Sequence, residues 1–435
     1  MEITTGSRLK LEVLKFANLG YGLAKLEGFT IFIPEGIPGD LLEAGITELK
    51  KNYAFARIRK IVSPSPFRKA PPCPAFPMCG GCDYLSLEYT RQLFFKNALL
   101  NDMVGRSFKE KPKIFEITPS PEREFRHKVN LKYSVQDGKV GFFSRHSNSI
   151  VPMPEGKDFC LIQPKINEEI LRLVLRLLNR NGREKLREIT LRNSRGNNEN
   201  MVIFHGNFGE NDEIIEIDSQ AFEKLNLVSV NFIDRNERLH NLVGEPYIRE
   251  KIQDFEYLIG AGSFFQTNPF ILELMLERME LTHSTRNQQS LDLYCGLGTF
   301  SFLLARNSAQ VTAIEQEPES VQLAERNAVL NQTRNVKFLT GKVRKRLAAL
   351  SFARRPGLVV TDPPRKGMAP ETLHQLIRIQ PETIIYISCQ LPTFIRDAQK
   401  LAEMGYRFVY LYPFDMFPHT FHVEVMGYFT RQEEK

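Results

Sequence analysis

The C-terminal part of the chain alternates short apolar runs with amphipathic segments, beginning near residue 289. Short apolar runs rich in β-branched residues favour buried strands, whereas apolar positions spaced by three and four favour helices. The predicted strands are 290–295, 311–316, 336–341, 358–364, 383–389, 407–414 and 423–429, and the predicted helices are 300–307, 320–331, 343–350, 372–379 and 394–405. This alternation predicts a Rossmann-like, doubly wound parallel sheet, with an antiparallel final strand because only a short turn precedes it.

The N-terminal half has a different pattern, with period-2 segments in the first sixty residues that are punctuated by glycines. We predict a small five-stranded barrel over residues 1–62, followed by a Pro-rich basic linker. A central α+β domain is expected over residues 73–250, including a hairpin at 126–151 that turns at Asp137-Gly138. The α/β domain then spans residues 251–435, and residues 90–124 are expected to pack with it.

Composition narrows the class of protein. The chain has 435 residues, a net charge of +7 and a pI of about 9.0, which raises the expectation of a polyanionic partner such as nucleic acid. No apolar run is long enough to span a bilayer, and the N-terminus lacks a signal-peptide pattern. We therefore expect a cytoplasmic protein that makes no membrane contact, in which the six cysteines do not form structural disulfides.

Chemically active side chains fall at the predicted carboxyl ends of the strands, where an open α/β sheet binds its ligands. They are a Gly-rich turn at 292–298 (DLYCGLG), Glu315, Asp362 and Cys389, and the turn before the last strand adds His419, His422 and Glu424. Strand order predicts that a nucleophile, several carboxylates and a Gly-rich turn meet in one crevice. A helix start after Cys389 is expected to favour its thiolate, although a buried, inert cysteine is the usual alternative.

The Gly-rich turn favours an adenosyl ligand, because glycines let a bulky group approach the backbone. A dinucleotide is the alternative, but Ser301 stands where the third glycine of that fingerprint would fall. Glu315, at the end of the next strand, is placed to accept hydrogen bonds from ribose hydroxyls.

Four stretches together resemble the uracil-C5 RNA methyltransferase family: 291–300 (LDLYCGLGTF), 361–367 (TDPPRKG), 386–389 (YISC) and 417–424 (FPHTFHVE). The resemblance implies a class I methyltransferase domain that uses S-adenosyl-L-methionine, and an N-terminal TRAM domain, a small barrel of OB type. It implies that Cys389 attacks uracil C6 and that Glu424 is the general base. The residues matched to cofactor binding are Gln266, Tyr294, Glu315 and Asp362. The sequence departs from the family at Gln390, where asparagine is usual.

Four further cysteines form a metal-ligand pattern, Cys73-x5-Cys79-x2-Cys82 with a distant Cys160. Four thiolates suit zinc or an iron–sulfur cluster. Zinc sites usually pair two close Cys-x-x-Cys units, whereas three clustered ligands with one distant ligand fit a cube-shaped cluster better. The resemblance implies a [4Fe-4S] cluster at these residues. The sixth cysteine, Cys295, is expected to pack beneath the Gly-rich turn.

The 126–151 hairpin alternates basic and aromatic residues, a pattern that suits unstacked RNA or a solvated hairpin with one core face. The candidates are His127, Lys128, Lys132, Lys139, Arg145 and His146, interleaved with Tyr133, Phe142 and Phe143. The resemblance implies 23S ribosomal RNA as the favoured partner and transfer RNA as the alternative, and a monomer is the simplest assembly. Rival hypotheses are a methyltransferase for exocyclic amino groups, disfavoured by Arg365 after the two prolines, and a non-catalytic iron–sulfur RNA-binding protein.

Overall fold

A computed structural model describes residues 3–145, 147–282 and 288–432. The predicted RNA-contact residue His146 lies outside the described residues. Within the described ranges, every helix is too short or too polar to cross a bilayer.

The N-terminal segment forms a six-stranded sheet in the order β1-β5-β6-β4-β3-β2. The prediction of five strands was wrong by one, because a short 3-10 helix, Asn18–Gly20, interrupts the first meander and leaves a separate two-residue strand. The strands are β1 (Arg8–Glu12), β2 (Lys15–Phe16), β3 (Gly22–Leu26), β4 (Phe29–Ile33), β5 (Leu41–Leu49) and β6 (Tyr53–Ser63). Alternate residues such as Leu9, Leu11 and Ile31 are buried on the inner face, as the period-2 pattern predicts.

The central part contains a seven-stranded sheet in the order β10-β9-β8-β11-β12-β13-β14. The strands are β8 (Lys128–Tyr133), β9 (Val140–Phe143), β10 (Ile150–Pro152), β11 (Leu186–Asn193), β12 (Asn200–Gly206), β13 (Leu227–Ile233) and β14 (Leu239–Gly244). Helices α2 (Ile166–Leu177), α3 (Arg180–Lys185) and α4 (Ser219–Lys224) accompany it. The predicted hairpin is present: β8 and β9 pair antiparallel, and Gly138 in its turn has a φ of 67°.

The C-terminal part is an eight-stranded sheet in the order β19-β18-β17-β20-β21-β23-β22-β7. Its strands are β7 (Lys113–Ile114), β17 (Gln289–Leu293), β18 (Gln310–Glu315), β19 (Val336–Thr340), β20 (Leu358–Thr361), β21 (Thr383–Ser388), β22 (Tyr406–Phe414) and β23 (Glu424–Arg431). The hairpin β15 (Tyr247–Ile252) and β16 (Phe255–Gly260) precedes it. The helices are α1 (Tyr89–Ser107), α5 (Pro269–Thr282), α6 (Thr299–Asn307), α7 (Pro318–Leu330), α8 (Val343–Ala349), α9 (Pro370–Ile379) and α10 (Leu391–Glu403).

Strand order in this sheet fixes where a ligand can bind. Strands β17 to β21 are parallel, and β23 is antiparallel to both neighbours, as predicted. The order reverses between β17 and β20, so a crevice opens beyond the carboxyl ends of these two strands.

The segment before the central sheet is joined to the C-terminal sheet. Strand β7 pairs with β22, and Lys96 on α1 makes a 2.5 Å ion pair with Asp415, both side chains being buried. The predicted domain divisions at residues 62, 73 and 250 stay predictions.

Candidate active site

A sharp turn follows β17 and forms one wall of the crevice. Tyr294, Gly296 and Gly298 have φ values of 64°, 55° and 85°, and a left-handed conformation is costly for the one non-glycine residue. The backbone N–H groups of Tyr294 and Cys295 donate to the carbonyl of Ile314, at 2.9 and 3.1 Å, which fixes the turn against β18. A Cβ at Gly298 would lie 2.8 Å from the Phe302 ring. The turn is therefore rigid and exposes bare backbone to the crevice. Cys295 is buried, as expected.

Three carboxylates surround this turn. Glu315 accepts hydrogen bonds from the backbone of Gly296 and Glu317, at 3.1 and 3.0 Å. Asp362 accepts from Gln266 Nε2 at 3.2 Å, and burial raises the pKa of Asp362 to about 7. Thus three of the four predicted cofactor residues are linked to one another or to the turn. Tyr294, the fourth, lies within the turn itself.

The third carboxylate, Asp292, was absent from the predicted binding residues. Burial raises its pKa to about 7, and the charges of Asp362 and Glu315 add to this effect. Ser301 Oγ donates to Asp292 Oδ2 at 2.6 Å, but Oδ1 is buried without a partner among the described residues. A buried acceptor without a donor indicates a missing ligand. The three acids together favour a cationic ligand, which fits the sulfonium and ammonium groups of S-adenosylmethionine.

Cys389 and Glu424 are neighbours across two paired strands. Ser388, the last residue of β21, pairs with Val425 in antiparallel β23. The next residue along one strand is Cys389, and the preceding residue of the other is Glu424. The charge of Glu424 affects the pKa of Cys389, as do the charges of Arg365 and Asp362. The predicted nucleophile and base therefore meet beside the carboxylates.

The expectation of a readily formed thiolate at Cys389 was wrong. Burial and the charge of Glu424 raise the pKa of Cys389 to about 11, although Arg365 acts in the opposite direction through its charge and a hydrogen bond. Burial also raises the pKa of Glu424 well above its ordinary value, with Asp362 adding to the rise. Helix α10 begins at Leu391, two residues beyond the thiol, and loss of hydration is the largest cause of the raised pKa of Cys389.

Arg365 is a site residue to which sequence reasoning gave no role, because it entered only within the matched stretch 361–367 and as evidence against amino-group methylation. Its loop is bound to α10: Thr393 Oγ1 donates to the Arg365 carbonyl at 3.2 Å, and buried Asp397 accepts from Met368 N at 2.8 Å. A Cβ at Gly367 would lie 2.5 Å from Asp397 Oδ2. Since α10 follows Cys389 directly, these bonds fix Arg365 relative to the thiol.

The two predicted histidines have different environments. The ring nitrogens of His419 bond to the Gln92 side chain at 3.1 Å and the Glu122 carbonyl at 2.8 Å. These partners tie the ring to α1 and to the segment that contains Glu122. His422 stacks near Phe421, with ring centroids 4.1 Å apart. Burial and the charge of Arg365 lower the pKa of His422 to about 4, so it is neutral.

The four remaining cysteines line one cavity, with largely apolar neighbours that include Phe76, Leu85, Phe142 and Ile162. The four are Cys73, Cys79, Cys82 and Cys160. Burial and the charges of the other three raise the pKa of Cys82 well above its ordinary value. In the part of the chain that the structure describes, no group of three or more His, Cys, Asp and Glu side chains could hold a metal ion. The four thiols thus share one cavity.

The cysteine loop contacts the loop that leads to Glu424. The backbone N–H groups of Asp83 and Tyr84 donate to the His419 carbonyl, at 2.7 and 2.9 Å. Arg145, predicted to contact RNA, instead donates to the Cys82 carbonyl and lies 3.4 Å from Asp83.

The other predicted RNA-contact residues are dispersed. Tyr133 is in the core, Phe142 faces the cysteine cavity, and Phe143 is exposed beneath the Lys132 ammonium group. Lys139 is paired with Asp137 at the exposed turn. His127 and Lys128 line a separate cavity next to Gln266.

Comparisons with known proteins agree on one family. The model of the family described as "tRNA (Uracil-5-)-methyltransferase" matches residues 88–432, and the TRAM domain model matches residues 3–58. An "uncharacterized RNA methyltransferase" of Halalkalibacterium halodurans is 31% identical over 434 residues, covering 93% of this chain and 93% of the relative. One from Synechocystis sp. is 32% identical over 445 residues, covering 96% and 95%.

Among solved structures, the chain is similar to the Pyrococcus abyssi tRNA (uracil-54, C5)-methyltransferase in complex with S-adenosyl-L-homocysteine. The TM-score is 0.74 and the sequence identity 26%, covering 97% of this chain and 100% of the other.

Proposed function

The chain belongs to the tRNA (uracil-5-)-methyltransferase family, and on this premise we propose that Cys389 and Glu424 together carry out methylation of uracil C5 in RNA. Family membership makes the protein an RNA methyltransferase that acts on uracil C5 and uses S-adenosylmethionine. The proposal assigns the covalent chemistry to two residues of this chain. The observation that carries it is their adjacency across β21 and β23, beside Asp362 of the crevice.

In the proposed reaction, the Cys389 thiolate adds to C6 of the uracil, and C5 gains the electron density of an enolate. Bound S-adenosylmethionine supplies an electrophilic methyl group to this carbon. Glu424 then removes the C5 proton, and the electrons of the broken C–H bond restore the C5–C6 double bond and expel the thiolate. Its raised pKa makes the ionised Glu424 carboxylate a stronger base. Gln266, Tyr294, Glu315 and Asp362, with Asp292, are proposed to hold the donor.

Release of tritium from RNA that contains 5-[³H]uridine tests this mechanism, because the C5 hydrogen must leave. We expect Cys389→Ala to abolish release and methyl transfer. Glu424→Gln should form a covalent protein–RNA adduct that survives denaturation, since it adds and methylates but cannot eliminate. Glu403→Gln, an exposed carboxylate change on α10, is the matched control. Full methyl transfer by Cys389→Ala would instead support amino-group methylation.

We propose 23S ribosomal RNA as the substrate, on the combination of a TRAM domain with the four additional cysteines that the family resemblance associates with it. The Pyrococcus abyssi relative acts on transfer RNA, so transfer RNA is the alternative. Mass mapping of 5-methyluridine in both RNAs from cells that lack the protein separates the two. Loss from transfer RNA alone would overturn the ribosomal assignment. We further propose that the enzyme acts in the cytoplasm as a monomer, which its mass in light scattering tests.

We propose that Cys73, Cys79, Cys82 and Cys160 hold a [4Fe-4S] cluster. The support is a cavity lined by all four thiols, because four cysteine thiolates are the usual ligands of such a cluster. Its proposed role is structural, because Asp83 and Tyr84 next to Cys82 hold the loop before Glu424. Protein purified without oxygen should be brown and contain iron and acid-labile sulfide in equal amounts, and Cys82→Ser should lose both. A colourless, zinc-containing protein would contradict the assignment.

A further inference from the structure

A pair of like charges, one buried and one half-buried, lies where the central sheet meets the C-terminal part. In the β8–β11 ladder, Lys132 lies opposite Glu188, and the two side chains form an ion pair. Four residues along the same ladder, Lys128 lies opposite Arg192. Cations placed directly opposite each other on paired strands destabilise a sheet. The ladder thus contains one pair of opposite charges and one pair of like charges, and the presence of the like charges needs an explanation.

Arg192 has no anionic partner in the described residues, although it is only 3% exposed. One terminal nitrogen donates to the Ser263 carbonyl, but its Nε is buried without an acceptor. Burial lowers the pKa of Arg192 to about 10, and no carboxylate offsets this effect. An unpaired buried guanidinium is costly for a protein to keep, so its retention here indicates an anion that is not part of the chain.

Lys128 adds a second cation to the same place. Burial and the charge of Arg192 lower the pKa of Lys128 to about 7, while the more distant Glu188 acts in the opposite direction. No carboxylate of the described residues lies within ion-pair distance of Lys128, since Glu188 is paired with Lys132. An arriving anion would therefore meet two cations, one of which it would help to keep protonated.

The pair borders a narrow cavity that also contains Gln266, His127 and Glu250. Glu250 does not neutralise Arg192, because its oxygens accept from the backbone of Arg195 and Gly196, at 3.0 and 2.7 Å, and from Ser194. The cavity volume is ≈ 20 Å³, and about 10–15 Å³ is enough to hold one water molecule. One oxygen of an anion fits, whereas a nucleobase does not.

Gln266 connects this cavity to the crevice, since it donates to Asp362 at 3.2 Å. Because the substrate of the proposed function is RNA, the anion expected next to the target base is a backbone phosphate. We propose that Arg192 and Lys128 bind a phosphate that flanks the target uridine, with one non-bridging oxygen in the cavity. The inference rests on the proposed function and extends it to a binding site for the RNA backbone.

The probe for this site is a fluorescent nonamer RNA with one central uridine among adenosines, in the presence of S-adenosylhomocysteine. Three versions are compared: all phosphates charged, and a neutral methylphosphonate on the 5′ or the 3′ side of the uridine. For the natural protein we expect one of the two neutral versions to bind roughly tenfold more weakly, as for the loss of a hydrogen bond between charged groups. The Arg192→Met variant should bind that methylphosphonate version and the fully charged probe with equal affinity.

Lys128→Met, at a half-buried position, provides a second variant that should disturb folding less than the change at buried Arg192. Either variant should reduce the slope of log Kd against log [KCl] by about 0.7, the value for one phosphate contact on a single strand. Arg180→Met removes an exposed cation on α3 that pairs with Glu184, and it should leave the difference between probes intact.

The inference is overturned if a methylphosphonate weakens binding to Arg192→Met and Lys128→Met as much as to the natural protein. It is also overturned if these variants lose affinity for S-adenosylhomocysteine without RNA, since the anion would then be the carboxylate of the methyl donor. Tritium release by the natural protein, measured separately, reports on the proposed function. A phosphate effect without tritium release would refute the mechanism and leave the site in place.

Discussion

Arg365 is expected to determine how easily Cys389 loses its proton. The pKa of Cys389 is raised to about 11 by burial and by the charge of Glu424, and Arg365 opposes this rise through its charge and a hydrogen bond to the thiol. Arg365→Met removes both contributions, so the pKa of Cys389 should rise further. At any pH below that pKa, less thiolate is present in the variant than in the natural protein.

The size of the effect follows from the exposure of Arg365. A hydrogen bond to a charged group contributes about 1.5–3 kcal/mol, but the guanidinium is exposed, and solvent screens an exposed charge. We therefore expect the lower end of the range, about one pKa unit. Below the pKa of the thiol, this corresponds to roughly a tenfold loss of thiolate at fixed pH.

The assay is the rate at which iodoacetamide alkylates Cys389, followed at pH 8.5 by mass spectrometry of the peptide that contains it. Peptide mapping separates Cys389 from the five other cysteines. Lys366→Met is the matched control, because it removes the same charge from the next, also exposed, residue. Alkylation of Arg365→Met at or above the natural rate, with Lys366→Met unchanged, would refute the electrostatic role of Arg365.

The remaining predictions concern stability, pH and RNA binding. Lys96→Met leaves Asp415 buried and unpaired, so it should lower the free energy of unfolding, measured by urea titration, by about 3–5 kcal/mol. A loss below about 1 kcal/mol, the usual limit for exposed pairs, would contradict this prediction. Cys389 and Glu424 are both active in their deprotonated forms, and the pKa of each is raised. We therefore expect kcat/KM to increase with pH through neutrality, and a maximum below pH 6 would contradict this expectation. Phe264 is 62% exposed and lies two residues from Gln266. Phe264→Ala should raise KM for RNA by roughly tenfold, because base stacking is lost, and should leave the free energy of unfolding unchanged. An unchanged KM would count against stacking.

The parts of the fold that the sequence predicts well are those in which apolar residues recur with a regular period over several elements. The strands and helices from β17 to β23 were predicted within a few residues, because each element repeats its apolar period over a full buried face. Strand β7 was not predicted, since two residues carry no period. Its place depends on the uncovered edge of β22, which belongs to a distant part of the chain.

Within the candidate site, motif residues at strand ends could be located, but their environments could not. The neighbourhood of Cys389 and Glu424 follows from strand order alone. The raised pKa of Cys389 depends on burial, which no local pattern records. Lys128 and Arg192 lie opposite each other because of the register between β8 and β11, two strands that are far apart in sequence. The contact between His419 and Gln92 could not be predicted either, because the two residues are far apart in sequence.

The short strand β7 has a practical consequence for how the protein can be dissected. A fragment that starts at residue 251 would contain every residue from β17 to β23, yet it would leave the outer edge of β22 uncovered. Unpaired edge strands recruit other chains and promote aggregation. Such a fragment would also lack Lys96, so Asp415, just before the loop that leads to Glu424, would lose its buried cationic partner. Expression trials that aim at a minimal catalytic unit should therefore retain residues 88–118, supplied in the same chain or as a separate peptide.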